Sequence, residues 1–318
     1  MIRIGISGWR YEPWRGVFYP EGLPQRRELE FVSRHFPTVE INGSFYSLLR
    51  PEYYQQWYEE TPPGFVFSVK GSRYITHMLK LKNVETPLAN FFASGILNLK
   101  EKLGPLLWQF PPMFGYNPER FERFFELLPR DTEQALSLAR KRDSRMTGRS
   151  RLAIDAKRPL RHAVEIRHPS FMNDEFLALL KRHDIGLVVA DTAGKWPKMF
   201  HVTSDFVYVR LHGDVKIYTS GYTSRALAAW ARRIRSWDED GRDVYVYFDN
   251  DVKVRAPFDA LNLMDKLGLA WRPSDDDIDA SERPFRLHTA GVRVPRARFA
   301  YGPRVTGGNP AWEKPGRR

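Results

Sequence analysis

Side chains suited to acid–base and charge chemistry recur at the ends of eight short apolar runs. They are Glu40 and Asn42, Lys70, Gln109, Glu165 and Arg167, Asp191, Arg210 and His212, and Asp249, with Ser7 closing the first run. Glu165 and Glu40 suit a general acid and base, His212 a proton carrier near neutral pH, and Asp191 completes a candidate catalytic set. Arg167, Arg210 and Lys70 are three cations, and arginine's planar fork matches phosphate or carboxylate. They imply a small anionic or phosphorylated ligand, oriented by Asn42 and Gln109. Loop residues Trp9, Tyr46, His77 and Asn250 extend the ligand-binding set, and Phe114, Tyr218 and Tyr222 are aromatics that would stack on a sugar or base.

Two further chemistries deserve weighing. A strand-end lysine such as Lys70 can be desolvated into a Schiff-base role, but the neighbouring carboxylates favour a charged, ion-paired lysine. Glu40, His77, Glu165 and His212, with His168 and Asp191, offer oxygen and nitrogen donors for a divalent metal. Arg167 and Arg210 would repel a dication, and no two histidines share a helix turn, so the balance is against a metal; the cofactor stays open. Gly5-Ile-Ser-Gly-Trp9 is not a nucleophile elbow, and no glycine-rich phosphate motif follows a strand.

The runs that must position these groups are Arg3–Ser7, Val39–Asn42, Phe65–Lys70, Leu106–Gln109, Ala163–Arg167, Leu187–Asp191, Phe206–His212 and Val244–Asp249. Side chains alternate faces along a strand. One face is then apolar throughout: Ile4 and Ile6, Val39 and Ile41, Phe65, Phe67 and Val69, Leu106 and Trp108, Val164 and Ile166, Val188 and Ala190, Val207, Val209 and Leu211, Val244, Val246 and Phe248. The other face ends in the polar set. Between the runs, three- and four-residue apolar spacing predicts helices over 26–35, 51–60, 118–128, 173–182, 224–237 and 257–267. Eight strands alternating with helices over residues 1–272 predict a (β/α)8 TIM barrel, with the polar strand ends meeting at the C-terminal mouth. A doubly wound open sheet would be apolar on both strand faces. Residues 130–160 exceed an ordinary connection and read as an insertion, and Gly268 as a helix C-cap.

Composition narrows the classes. The chain has 318 residues, 42% hydrophobic, and no cysteine, which excludes disulfides, thiolate metal sites and a cysteine nucleophile. No apolar stretch approaches the ~20 residues that span a bilayer. The first strand begins at once, so neither a signal peptide nor a membrane partner is expected, and the reading is cytoplasmic. The net charge of +12 is concentrated: residues 140–161 carry +7 and 283–318 carry +8, leaving −3 elsewhere. Both segments are poor in apolar residues and are expected to be exposed and mobile, the second as a basic tail over 273–318. Such segments bind nucleic acid through phosphate contacts, although a solubilising role is the plainer reading.

The local strings resemble one known family. They are Gly5-Ile-Ser-Gly-Trp9 with Phe18-Tyr19-Pro20, Glu40-Ile-Asn42 with Phe45-Tyr46, Trp57 with Thr61-Pro62, Phe67 with Lys70, Ile75-Thr76-His77, Leu103-Gly104 with Gln109-Phe-Pro-Pro112, Glu165-Ile-Arg167, Tyr208-Val-Arg-Leu-His-Gly213, and Tyr247-Phe248 with Asn250. Over residues 1 to about 270 they look like the YecE-like family, or domain of unknown function 72. The resemblance implies a TIM barrel and brings no established reaction, cofactor or substrate.

Function must therefore come from the site. The leading expectation is an enzyme, a hydrolase or lyase working on an anionic substrate by carboxylate acid–base chemistry. The rivals are a nucleic-acid-binding protein using 140–161 and 283–318, and a non-catalytic small-anion sensor. A purely structural ion-pair network (Glu40 with Lys70, Glu165 with Arg167 or Arg210) is the plain alternative, weakened because every strand contributes at the same end.

Overall fold

The computed structural model describes residues 1–273; the expected tail from 274 onward lies outside them. Eight parallel strands pair in sequence order and close: β1 Ile2–Ser7, β2 Thr38–Ile41, β3 Val66–Lys70, β4 Leu103–Gln109, β5 His162–Glu165, β6 Ile185–Asp191, β7 Phe206–Leu211 and β8 Asp243–Phe248. β1 pairs with both β2 and β8, so the sheet has no edge. At the β1–β2 crossing a Cβ on Gly5 would lie 1.9 Å from the Thr38 carbonyl oxygen, so only glycine fits there.

The helices are α1 Glu28–His35, α2 Gly43–Tyr46, α3 Pro51–Glu60, α4 Glu85–Ala93, α5 Pro118–Leu127, α6 Thr132–Ala139, α7 Asp174–Arg182, α8 Ser224–Glu239 and α9 Ala256–Leu267. Their starts follow local chemistry. Asn117, Asp131, Asn173 and Thr223 each accept a hydrogen bond from a backbone N–H of the first turn of α5, α6, α7 and α8. Gly268 closes α9 in the left-handed conformation, as expected. No helix among the described residues is long and apolar enough to cross a membrane.

Seven of the eight strands turn their apolar face outward to the helices, as their alternation predicts. β6 is the exception. Val188 and Ala190 lie with Val66, Leu107, Ala163, Phe206, Tyr208, Tyr245 and Tyr247 in the barrel interior, while Leu187 and Val189 join the outer core. Asp191 therefore faces out. The interior is filled: the Tyr208 and Tyr247 rings lie 5.1 Å apart, and the Tyr247 hydroxyl bonds Thr38 Oγ1 at 2.7 Å and Ser68 Oγ at 2.6 Å. This aromatic plug sits beneath the polar mouth.

The insertion is a built part of the barrel's flank. α6 places Ala135 and Ala139 in the core, and Met146 is buried beyond it. Thr132 Oγ1 donates to the Ala156 carbonyl, Arg149 to the Leu48 carbonyl, and Arg151 N–H to the Ala93 carbonyl. Most of 140–158 is exposed, as expected, but it is tied by side-chain and backbone bonds rather than loose. Several of its cations are already paired: Arg145 with Asp143, Arg158 with Asp155, Lys157 with Glu133, and Arg161 with Asp205 and Asp243.

Candidate functional site at the barrel mouth

Arg210 is the centre of the polar cluster. It rises from β7, is fully buried, and is met by carboxylates from three other strands. Its Nε and Nη2 bond Glu40 at the end of β2, at 3.0 and 2.8 Å. Nη1 bonds Glu165 Oε2 of β5 at 2.7 Å, and Nη2 bonds Asp249 Oδ2, just past β8, at 2.8 Å. Ser7 Oγ donates to Glu40, receives Asn42 Nδ2 at 2.9 Å, and accepts from Arg210 at 3.1 Å. Tyr208 donates to Glu40 Oε2 from below at 2.6 Å. His212 Nδ1 lies 3.0 Å from Asp249 Oδ2, and its Nε2 lies 3.5 Å from Arg210 Nη1.

The sequence placed Glu40, Glu165, Arg210 and His212 at one mouth, and they do meet there. The roles change. All the nitrogens of Arg210 are spent on protein groups, so it cannot offer a free fork to a ligand. Glu165 is held from both sides, by Arg210 on Oε2 and by Arg167 Nη2 on Oε1 at 2.8 Å. Burial alone would raise its pKa, but the charges of Arg167 and Arg210 hold it well below the ordinary carboxylate range. Glu165 is thus held as a carboxylate between two guanidinium groups, which suits a base or an anchor better than a proton donor. Asp249 is likewise lowered, because Arg210 and the His212 contact outweigh its burial. Its neighbour Asp251 is pushed up by burial and by the Asp249 charge. The sequence marks Asp249 as a strand end, whereas Asp251 lies two residues beyond it on the turn Asp251–Lys253 and carries no strand signal.

Lys70 differs from the other cations. Its Nζ lies 4.4 Å from the Phe45 ring centroid and makes no hydrogen bond or ion pair among the described residues. The side chain is 9% exposed, and the amine is not among the sealed orphan atoms, so it is reached from the mouth. Burial, then the Arg210 charge, lowers its pKa to about 8 against the opposing pull of Glu40, Glu165 and Asp249. The expectation of an ion-paired lysine fails because Arg210 and Arg167 have taken the carboxylates.

Arg167 stands at the rim, with 12% of its side chain exposed. Its guanidinium lies 3.9 Å from the Trp196 ring centroid, and Nη2 lies 3.5 Å from the Tyr218 hydroxyl. His77 sits on a short π-helical turn, Tyr74–Met78, with Nδ1 2.8 Å from Thr76 Oγ1 and Nε2 3.4 Å from Gln109 Nε2. Burial, with Lys70 and Arg167 nearby, lowers it to about 4, so it is neutral at ordinary pH. Gln109 also donates to the Phe110 carbonyl. Asn42 Oδ1 is sealed from solvent with no hydrogen-bond partner among the described residues. Tyr218 holds a left-handed backbone at φ 61°, a conformation a bulky residue rarely adopts outside a constrained site.

Other expected members lie elsewhere. Asp191 faces the helices, where it pairs with Lys198 at 2.8 Å and accepts from Trp230 Nε1 at 3.2 Å and the Tyr222 hydroxyl at 3.4 Å. It is a structural anchor, and so is Tyr222. Asn250 turns away from the mouth to donate to Ser220 O and Asp259 Oδ2, at 3.0 and 2.8 Å. Trp9 packs edge-on against Trp57 at 5.1 Å in the outer core. Phe114 belongs to the Phe110 and Phe121 cluster, and His168 caps the turn Pro169–Phe171 through Ser170. Tyr46 is exposed on the rim beside Arg73. Among the described residues no three His, Asp or Glu side chains gather as metal donors. The point where Glu40, Glu165 and Asp249 converge holds the Arg210 guanidinium instead.

Comparison with known proteins follows this geometry. The solved structure of a DUF72 family protein from Thermotoga maritima MSB8 superposes with a TM-score of 0.69 at 26% identity, covering 84% of this chain and 99% of that one. Another, from Enterococcus faecalis V583, gives 0.68 at 20% identity over 88% and 100%. UPF0759 protein YunF of Bacillus subtilis (strain 168) is 31% identical over 124 residues, and UPF0759 protein YecE of Escherichia coli (strain K12) is 31% identical over 115. These matches span 43% and 39% of the relatives' own length, and 37% and 36% of this chain. The family model described as protein of unknown function DUF72 matches residues 3–282, and the chain belongs to that family.

Proposed function

We propose that this protein is an enzyme, a lyase or hydrolase, that takes a small anionic substrate at the C-terminal mouth of the barrel. One observation carries the reading: a nearly buried lysine with no hydrogen-bond or ion-pair partner among the described residues stands beside a fully satisfied arginine cluster. Burying an unpaired amine is costly, and a fold with three carboxylates at hand could have neutralised it. Its persistence is accounted for if a ligand supplies the missing negative or polar group. Arg167 rather than Arg210 meets the anion, because it reaches the surface and its planar face is already braced on Trp196. Acid–base work falls to Lys70 and to the Asp249/Asp251 pair, whose carboxyls are driven apart in pKa, with His212 beside Asp249. Nucleic acid as the partner has less support, since several cations of 140–161 are engaged by protein carboxylates.

The test is calorimetric titration of the full chain with inorganic phosphate, sugar phosphates and short carboxylates. Binding at one site, weakened in Arg167→Ala, is expected. A parent protein that binds none of them, or an Arg167→Ala variant that binds equally well, overturns the reading.

A further inference from the structure

We infer that Lys70 is a nucleophile, and that the anionic substrate of this mouth carries an aldehyde or ketone carbonyl with which the lysine condenses. The inference rests on the anionic-substrate reading and adds the substrate's reacting group.

The geometry supports it at several points. Lys70 ends β3, so its stem starts from rigid sheet and its amine enters the mouth at a fixed height. The Phe45 ring holds the amine at 4.4 Å without accepting a conventional hydrogen bond, leaving the nitrogen lone pair uncommitted once a proton is lost. The groups that could neutralise the ammonium are occupied: Glu40 by Arg210, Ser7 and Tyr208; Glu165 by Arg210 and Arg167; Asp249 by Arg210. His77 faces the same space as a neutral ring. A lysine partly desolvated and set next to another cation is activated as a nucleophile. The lowering of its pKa to about 8 agrees with that arrangement. A lysine kept only for charge would be expected to hold an acidic partner, as Lys157 does with Glu133 and Lys198 with Asp191.

The step balances without a co-reactant. The neutral amine attacks the carbonyl carbon, the C–N bond forms, and the carbonyl π pair moves to oxygen, which takes up a proton. The nitrogen gives up one of its own, forming a carbinolamine. Loss of the hydroxyl with the second amine hydrogen releases water and leaves the imine. Arg167 holds the anionic end.

The experiment is reductive trapping on the full chain. Glycolaldehyde phosphate and glyceraldehyde 3-phosphate are the probes, cyanoborohydride the reductant, and peptide mass spectrometry the readout. The expected result is an adduct on Lys70 at least about tenfold above that on exposed lysines such as Lys141, growing between pH 6 and pH 8. Adducts spread over surface lysines, with Lys70 modified no faster than in urea-unfolded chain, overturn the inference. A second measurement needs no variant: reductive methylation with formaldehyde across pH should show Lys70 half-reactive near pH 8. A midpoint near the ordinary lysine value of ~10.4 overturns it. Inorganic phosphate, which has no carbonyl, separates the two readings. Phosphate binding without the Lys70 adduct refutes the imine and spares the anion site. The adduct without phosphate binding supports the nucleophile and refutes the anion.

Discussion

Arg210 holds Glu40 side-on across the barrel, Nε to Oε2 at 3.0 Å and Nη2 to Oε1 at 2.8 Å, with both side chains fully excluded from solvent. Such two-point pairing is geometrically demanding, and here it is joined by Glu165 on Nη1 and by Asp249, which shares Nη2 with Glu40. Arg210→Met should therefore leave three carboxylates facing one another. A loss of roughly 3–5 kcal/mol is expected, enough to abolish folding in a marginal domain. Thermal unfolding checks it, and Arg210→Lys should rescue little because ammonium cannot reproduce the fork. A melting temperature within a degree or two of the parent would show the cluster to be energetically neutral.

Arg167→Ala should weaken both binding and stability. Its guanidinium, 12% exposed, pairs with the fully buried Glu165, so a loss of roughly 1–3 kcal/mol is expected, while phosphate affinity falls about tenfold or more through loss of a charge-assisted contact. Calorimetry and denaturant titration on the same preparation give both numbers. An unchanged phosphate affinity would mean that its bond to Glu165 is structural only.

His162 predicts an acid limit. It is fully buried, accepts from Trp108 Nε1 at 3.1 Å and donates Nε2–H to the Pro129 carbonyl at 2.8 Å, and burial pushes its pKa down to about 3. The unfolded histidine titrates near ~6.5. Between those values the unfolded chain binds a proton that the native chain refuses, so stability must fall as pH falls from about 6.5 towards 3. Urea midpoints measured against pH should show this slope in the parent and a shallower one in His162→Gln. Equal slopes would assign the acid sensitivity to other groups.

Asp191→Ala tests the outward placement. Removing the acceptor for Trp230, Tyr222 and Lys198 should cost about 1–3 kcal/mol and leave phosphate affinity unchanged. A loss of affinity with little change in stability would return Asp191 to the mouth.

How the sequence misplaced Asp191 is instructive. In β1 to β3, β5, β7 and β8 polar and apolar residues alternate at the C-terminal end, so the pleat fixes which face is inside. Leu187-Val-Val-Ala offers no such alternation, and the single polar terminus suggested the wrong phase. The interior accepts Val188 and Ala190 because bulky Tyr208 and Tyr247 fill the space beside them. α4 was invisible for a related reason. Leu88, Ala89, Phe91, Phe92 and Ala93 are buried on both sides, so the helix shows no polar stripe. The insertion helix α6 was missed because its charged flanks dominated the composition. The site was legible as a set of residue types. Which cation was free was not, because that depends on the distances by which Arg210 claims the carboxylates before Lys70 can.

The interlocked tyrosines below Arg210 give the mouth a floor. Tyr247 bridges Thr38 and Ser68, and Tyr208 is tied to Glu40, so aromatic side chains fill the barrel interior beneath Arg210. On the anionic-substrate reading, a molecule admitted over Arg167 and Tyr218 would have to leave by the same threshold. Product would then compete with the next substrate for one entrance, and turnover would slow as product accumulates.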